Sequence, residues 1–425
     1  MVLLNNYSGD CVNPLKEYKL PIAVTAAIVA IAVMIGASAC SPRWYYRFRE
    51  EPTVAPTTDE TTETDERESA VLTYGYESLD EKLRQAYQTL DTYVQRDYSE
   101  RFSVALSTDE ELLNVIEAYE QDHPEVFWLD NSSRYQYLKY SHGYEVELSF
   151  TFQGDALREA KKEVEEAAAA VIDAAPENAT DYELELFFNE WIVYHCSYDK
   201  EGPQRHNVYG TFIQGRAVCD GYSKAFQLLC QLAGIDCVCV EGTATEFESR
   251  LDGSEDDGHM WNCVKLGGDW YHVDVTWNDG DAHIQKYAFL NLSTEEIKRT
   301  HAIGPMFGEV SSEECDYLNT FVPECNSMEY NYFYKSCPCI SDPEDDGEVI
   351  AALIQTAKKH GMYLDVRIDS ALDYDETTQA ISESYGYRWL EAANHYNNDE
   401  PRISAESKYY IYKEMDVITF SLAYE

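Results

Sequence analysis

A cysteine, a histidine and an aspartate follow one another in the middle of the 425-residue chain, at Cys219, His259 and Asp274. Cys219 opens a segment with apolar residues at helical spacing that ends at Gly234, so we expect it in the first turn of a helix. The N–H groups and the dipole at a helix N-terminus favour the thiolate, which is the nucleophilic form of cysteine. These residue types are the nucleophile, base and orienting carboxylate of a thiol acyl-transfer triad.

The two partners of Cys219 are predicted on one β-hairpin. Strand-like runs at 259–266 and 269–277 flank Gly267-Gly268, which is a strong signal for a two-residue turn. That register makes His259 and Asp274 diagonal neighbours on one face, with backbones roughly 7–8 Å apart. Side chains can close this distance, and a carboxylate there can hold the imidazole in the tautomer that a base needs.

The same hairpin offers a competing pair, because its register places Cys263 directly opposite His272. A Cys263–His272 dyad is therefore an alternative. A cysteine in the middle of a strand lacks the helix N-terminus, however, and is more often a small buried hydrophobe. The pattern favours Cys219 with His259. The further alternative is a packed hairpin whose polar residues have no catalytic role.

The residues around these positions resemble the transglutaminase-like superfamily, and its bacterial branch in particular. The resemblance covers about residues 180–295 and rests on the runs Ala217-Val-Cys219-Asp-Gly221-Tyr222, His259-Met-Trp261-Asn262 and Asp269-Trp-Tyr-His-Val-Asp274-Val-Thr-Trp277. It implies a papain-like thiol fold with Cys219 as nucleophile, His259 as general base and acid, and Asp274 as orienting group. The family includes amide-crosslinking enzymes, peptidases and members without activity. The intact triad speaks against the last of these.

Acyl transfer also needs hydrogen-bond donors aimed at the developing negative charge. Gln214, five residues before Cys219, is a candidate by analogy with the papain-like glutamine, and Trp261 is a candidate for the wall of the site. A surface glutamine and a packed core tryptophan are the competing interpretations. No structural zinc is predicted, because the cysteines do not form paired C-x-x-C knuckles, and no other metal and no cofactor are predicted.

The net charge of the chain limits the classes of partner that it can bind. The formal net charge of −46 speaks against nucleic acid, since phosphate contacts need clustered lysine and arginine. A peptide or protein substrate is expected instead. Two function classes remain: an envelope-anchored enzyme acting on peptide amides, as a cysteine peptidase or a transglutaminase, or a non-catalytic cell-surface binding module that retains the framework.

The N-terminus carries a localisation signal. Leu20–Ala39 is an uncharged, mostly apolar run that ends in small residues before Cys40. This pattern predicts a lipoprotein leader with lipid on Cys40, and the alternative is an uncleaved membrane anchor. Arg43, Arg47 and Arg49 would hold the C-terminal side in the cytosol if the helix stayed uncleaved. We expect the protein at the extracytoplasmic face of the cell envelope.

The length of the chain predicts several domains, and composition places their boundaries. The predicted segments are a leader or anchor (1–40), a disordered acidic Thr-rich tether (41–73), an N-terminal α+β domain (74–175), the catalytic domain (176–330) and a C-terminal α+β domain (331–425). Capping-box patterns at Ser78 and Ser107 predict helix starts in the N-terminal domain. The fold class is α+β, with the cysteine-bearing helix packed on an antiparallel sheet.

Overall fold

A computed structural model describes residues 73–96, 100–130, 134–244, 257–280, 283–304, 322–342, 347–397, 401–412 and 415–425. The predicted leader, Cys40 and nearly all of the tether lie outside these residues. Among the described helices, none combines the length and the apolar character needed to cross a membrane.

The first part of the described chain combines four helices with a three-stranded antiparallel sheet of order β1-β3-β2. Its elements are α1 (Tyr74–Ser78), α2 (Glu81–Val94), β1 (Phe102–Val104), α3 (Asp109–Asp122), β2 (Tyr135–Tyr140), β3 (Gly143–Leu148) and α4 (Gly154–Ala174). The caps predicted at Ser78 and Ser107 are wrong. Asp80 caps α2 and Thr108 caps α3, each accepting a backbone N–H through its side chain. Ser78 instead ends α1.

The second part contains the triad residues. Its elements are α5 (Asp181–His195), β4 (Ser197–Tyr198), a π-helix (Gly210–Gln214), β5 (Arg216–Ala217), α6 (Cys219–Ala233), β6 (Cys237–Ala244), β7 (Asp257–Leu266), β8 (Asp269–Val273), α7 (Val275–Asn278), α8 (Gln285–Ala288), α9 (Thr294–Ile297) and β9 (His301–Ile303). Four strands form a sheet of order β8-β7-β6-β9, and α6 packs on β6 and β7. This is the predicted mixed α+β core with the cysteine helix on an antiparallel sheet.

The β7–β8 hairpin has the predicted turn. Gly267 and Gly268 have φ angles of 60° and 103°, in the left-handed region that favours glycine. Cys263 pairs with His272, as the predicted register requires. The predicted second strand is too long, however, because β8 ends at Val273. The chain then turns into α7, whose first N–H groups need an acceptor that Asp274 provides.

The C-terminal part has its own sheet, of order β10-β11-β13-β12. Its elements are α10 (Tyr332–Ser336), β10 (Cys339–Ile340), α11 (Gly347–Lys358), β11 (Tyr363–Ile368), α12 (Tyr374–Ala380), a π-helix (Ile381–Tyr385), α13 (Gly386–Tyr396), β12 (Lys408–Tyr412) and β13 (Val417–Ser421). A separate hydrophobic cluster between Ile340 and Leu422 forms its core. Another cluster runs from Leu79 to Leu290 and joins the first two parts across residue 175. The domain boundaries stay predictions.

Gly242 in β6 lies against β9 and the ring of Trp261. A Cβ atom there would lie 2.1 Å from the carbonyl oxygen of Ala302 and 2.8 Å from the ring of Trp261. Neither the strand backbone nor a fully buried tryptophan can move aside cheaply.

We therefore predict that Gly242→Ala lowers the free energy of unfolding by about 1–3 kcal/mol through overpacking. Urea denaturation followed by tryptophan fluorescence measures this change. Gly202→Ala is the matched control, because its Cβ would meet its nearest neighbour, Arg205 Cβ, at an ordinary 3.6 Å. Equal stability of the two variants would contradict the predicted strand contact.

Candidate active site

The structure brings the three predicted residues together. The imidazole Nε2 of His259 donates to Oδ2 of Asp274 over 2.6 Å, since a carboxylate can only accept. Nδ1 is thereby left for Cys219, whose side chain interacts with the ring. Cys219 and His259 are 7% and 6% exposed and Asp274 is fully buried, so solvent reaches the thiol and the imidazole and does not reach the carboxylate.

The position of Cys219 depends on how α6 is fixed to β7. Cys219 is the first residue of α6, and Gly234 ends the helix in the left-handed conformation, as predicted. The hydroxyl of Ser223 donates to the carbonyl of Met260, and the amide of Asn262 donates back to the carbonyl of Ser223. These two bonds join the cysteine helix to the residues on either side of Trp261. The orientation of Cys219 toward His259 is therefore set by the buried backbone of β7.

The electrostatics of the pair favour a charged imidazole. Burial opposes the charge on His259, but Asp274 outweighs burial and, with the contact to Cys219, raises the pKa of His259 to about 10. Burial also works against the carboxylate, yet His259 and His301 hold the pKa of Asp274 below its usual range. The imidazole is thus protonated at neutral pH and can give a proton to a leaving group.

His301 is a member of the site that the sequence did not indicate. Its Nε2 donates to the same Oδ2 of Asp274 over 3.0 Å, and its Nδ1 lies 2.8 Å from the hydroxyl of Thr300. Burial is the largest cause that lowers the pKa of His301, so this ring is neutral at neutral pH. It therefore supports the carboxylate as a dipolar donor without adding a second positive charge. His301 follows Asp274 by 27 residues and lies in no motif.

Trp277 closes the site behind Asp274. Its backbone N–H donates to Oδ1 of Asp274 over 3.0 Å, which occupies the second carboxylate oxygen. The Trp277 ring lies 4.7 Å from the ring of His301 and 5.9 Å from that of His259, between centroids. The same tryptophan lines a cavity of about 610 Å³ shared with Phe289 and Arg299. A space of ligand size therefore lies one side chain away from the imidazole.

The competing dyad also forms, but in a closed environment. Sγ of Cys263 lies 3.2 Å from Nδ1 of His272, and both residues are fully buried. Trp261 is fully buried as well, and its indole N–H donates to the same Nδ1 over 3.1 Å. Its ring lies 6.1 Å from the His259 ring at an angle of 19°. Trp261 thus lies beside the imidazole of His259. Its role as a wall toward the substrate stays a prediction.

The structure offers fewer groups that could donate hydrogen bonds to the oxyanion. Gln214 is exposed at the end of the π-helix, and its side chain makes no hydrogen bond with the described residues. Val218 precedes α6 without a side-chain cap. The first N–H groups of the helix, including that of Cys219, thus have no capping side chain to occupy them. The backbone N–H of Cys219 is a donor that this geometry offers, and the role of Gln214 stays a prediction.

Two groups of side chains have donor atoms close enough to hold a metal ion within the described chain: His259, Asp274 and His301, and Cys263, His272 and Cys325. In the first group both Nε2 atoms carry protons directed at one carboxylate oxygen, which suits proton handling better than coordination. In the second group, no proton of this kind occupies the sulfur atoms of the two cysteines.

Part of the chain matches the model of a known protein family. Residues 167–275 match the model of the transglutaminase-like superfamily, so this chain contains a transglutaminase-like domain. All three triad residues fall within the matched range.

The relatives are more distant as whole proteins. Kyphoscoliosis peptidase of Mus musculus and that of Homo sapiens are each 35% identical over 129 residues, which cover 28% of this chain and 20% of the relative. The chain thus spans about a fifth of the length of these curated relatives. Among solved structures, a TGase matches 42% of this chain and 51% of its own at 12% identity and a TM-score of 0.24. A candidate cysteine protease from Cytophaga hutchinsonii matches 33% and 61% at 14% identity and a TM-score of 0.23.

His301 supplies a test of the carboxylate network. His301→Leu removes a donor that keeps Asp274 ionised, so the pKa of Asp274 rises and the carboxylate is lost at a higher pH. We expect alkylation of Cys219 at neutral pH to slow roughly tenfold, as for a lost charge-assisted hydrogen bond of about 1.5 kcal/mol. The acid limb of the alkylation rate should also move to higher pH.

Two further variants separate positioning from folding. His301→Gln keeps an N–H donor and should recover most of the rate and the limb. His195→Leu alters an exposed histidine that stacks on Trp191 and should change neither. An unshifted acid limb in His301→Leu would refute the role of His301.

Proposed function

We propose that this protein is a thiol acyl-transfer enzyme that acts on peptide or protein amides through Cys219, His259 and Asp274. The observation that carries the proposal is the 2.6 Å bond from His259 to a fully buried Asp274, with Cys219, the first residue of α6, interacting with the same imidazole. A structural histidine has no need of both a buried counter-charge and a neighbouring thiol.

The proposed reaction has two half-steps. The Cys219 thiolate, whose proton is held on His259, attacks the amide carbonyl, and the tetrahedral oxyanion takes a hydrogen bond from the Cys219 N–H. His259 gives its proton to the leaving amine as the carbon–nitrogen bond breaks, which leaves a thioester on Cys219. Water or a second amine then attacks the thioester, and His259 takes the proton that this attacker loses. Asp274 keeps the imidazole in place throughout.

The similar proteins support this class of chemistry, and the names of two of them bear on the acceptor. The word peptidase in the names of the mouse and human relatives favours water. The transglutaminase-like model favours neither acceptor by itself. Hydrolysis and transamidation share the thioester, so both follow from the same three residues.

The nucleophile can be identified by labelling. Cys219→Ala should abolish modification by an electrophilic acyl probe near neutral pH, because Cys219 alone combines a helix N-terminus with His259. Cys263→Ala is the matched control and should label almost as the wild type does, because that thiol is fully buried. Intact-mass spectrometry measures both, and the reverse pattern would overturn the assignment.

The fate of the labelled enzyme distinguishes water from an amine as the acyl acceptor. It also distinguishes an enzyme from a non-catalytic binding module. If the thioester is hydrolysed to free enzyme and no amide forms when an alkylamine is added, the enzyme is a hydrolase. If the added alkylamine is converted to an amide, the enzyme is a transamidase. A Cys219 that never forms the thioester, in a chain that still binds peptides, would favour the non-catalytic module.

The proposed location rests on the sequence around Cys40. Small residues before this cysteine and the acidic tether after it motivate export with lipid on Cys40. A fatty-acid analogue should therefore tag the protein in cells, and Cys40→Ala should remove the tag. Ser41→Ala is the control and should keep the tag. A full-length, untagged protein that whole cells protect from protease would place the catalytic part in the cytosol and remove the envelope from the proposal.

A further inference from the structure

A second cluster of reactive side chains lies outside the triad. It comprises Cys263 on β7, His272 on β8 and Cys325 from the segment 322–331. Cys263 and His272 are fully buried and Cys325 is 1% exposed. The Cys263 Sγ lies 3.2 Å from Nδ1 of His272 and 3.7 Å from Sγ of Cys325.

These distances suit coordination better than a disulfide. Two thiolates bound tetrahedrally to zinc at about 2.3 Å stand roughly 3.7–3.8 Å apart, whereas bonded disulfide sulfurs are about 2.0 Å apart. The donor atoms of all three residues lie within 4.8 Å of one another. Thiolates and imidazole are the ligands that zinc prefers among protein groups.

The tautomer of His272 also suits a ligand. The indole N–H of Trp261 donates to Nδ1 over 3.1 Å, and since an indole can only donate, Nδ1 is unprotonated. Nε2 then carries the proton and donates to the hydroxyl of Thr294 over 3.2 Å. A metal-bound histidine commonly uses its other N–H in this way. On coordination, the Trp261 N–H would pass from Nδ1 to a thiolate, which accepts hydrogen bonds.

We propose that Cys263, His272 and Cys325 bind one thiophilic metal ion, zinc(II), with the fourth position open to an exogenous ligand. The ion takes no part in the proposed acyl transfer. It ties the segment 322–331 to the hairpin whose first strand bears His259. Trp261 lies between the two clusters, because its N–H contacts His272 and its ring lies beside His259.

The spacing explains why no motif indicated this site. His272 follows Cys263 by 9 residues and Cys325 follows it by 62, so no short C-x-x-C pair arises. The absence of paired knuckles excludes only the sites that are built from local loops.

The test uses the full chain with Cys219→Ala in every sample, so that the catalytic thiol cannot bind the metal. Reduced protein is incubated with zinc(II), desalted and analysed for metal, and cobalt(II) is added in parallel as an optical probe. We expect one zinc per chain and a cobalt–thiolate charge-transfer band. Cys325→Ser and His272→Gln should each lose at least tenfold in affinity. Cys337→Ser, which alters a half-buried cysteine outside the cluster, should bind as its parent does.

A measurement without cluster variants guards against misfolding. Bound zinc should slow alkylation of Cys263 and Cys325 at least tenfold, and a chelator should restore it, as read by peptide mass spectrometry. Three outcomes would overturn the proposal. The first is that no zinc is retained, and the second is that the cluster variants bind zinc as well as Cys337→Ser does. The third is a disulfide between Cys263 and Cys325 in protein that was reduced and then purified.

Discussion

The buried carboxylate of Asp274 is the group on which the arrangement of the site depends. An ionised carboxylate inside a protein is costly unless its oxygens accept hydrogen bonds and a positive charge lies nearby. Here Oδ2 accepts from His259 and His301, and Oδ1 accepts from the backbone of Trp277. One side chain therefore joins β7, β9 and the first turn of α7, and none of these can shift without exposing an unpaired charge.

The surroundings make this network effective. Trp261 and Trp277 pack against the imidazole of His259 and keep water from the Asp274 side. In such a low-dielectric environment the charges interact more strongly than they would in water. The imidazolium is stabilised by a fixed counter-charge and needs no rearrangement before it gives up its proton. This preorganisation supports the proposed chemistry, in which a leaving amine must be protonated as its bond breaks.

The transglutaminase-like match covers a limited part of a larger assembly of elements. The N-terminal elements share one hydrophobic cluster with α6 and with the hairpin, so they support the cysteine helix directly. Gln121 of α3 donates to the backbone of Cys239 in β6, and Gln227 of α6 donates to the backbone of Gln121. The C-terminal elements have a core of their own and contribute to the cavity beyond Trp277. Elements outside the matched range therefore support the cysteine helix and line the cavity beyond Trp277.

The sequence by itself determined the features that local chemistry encodes. A helix that starts at Cys219 and ends at Gly234, a turn at Gly267-Gly268 and the pairing of Cys263 with His272 all follow from periodicity, glycine conformation and strand register. The resemblance to a known superfamily then assigned roles to residues whose proximity the hairpin had already indicated.

Only the tertiary structure decided the contacts between distant segments. The end of β8 at Val273 depends on α7, whose first turn takes Asp274 as its cap. His301 and Cys325 reach their clusters through β9 and the segment 322–331, and no local pattern marks either residue. Periodicity and turn chemistry fix the φ and ψ angles of neighbouring residues. Which side chains meet across the core is fixed by close packing and by the need to satisfy every buried polar group.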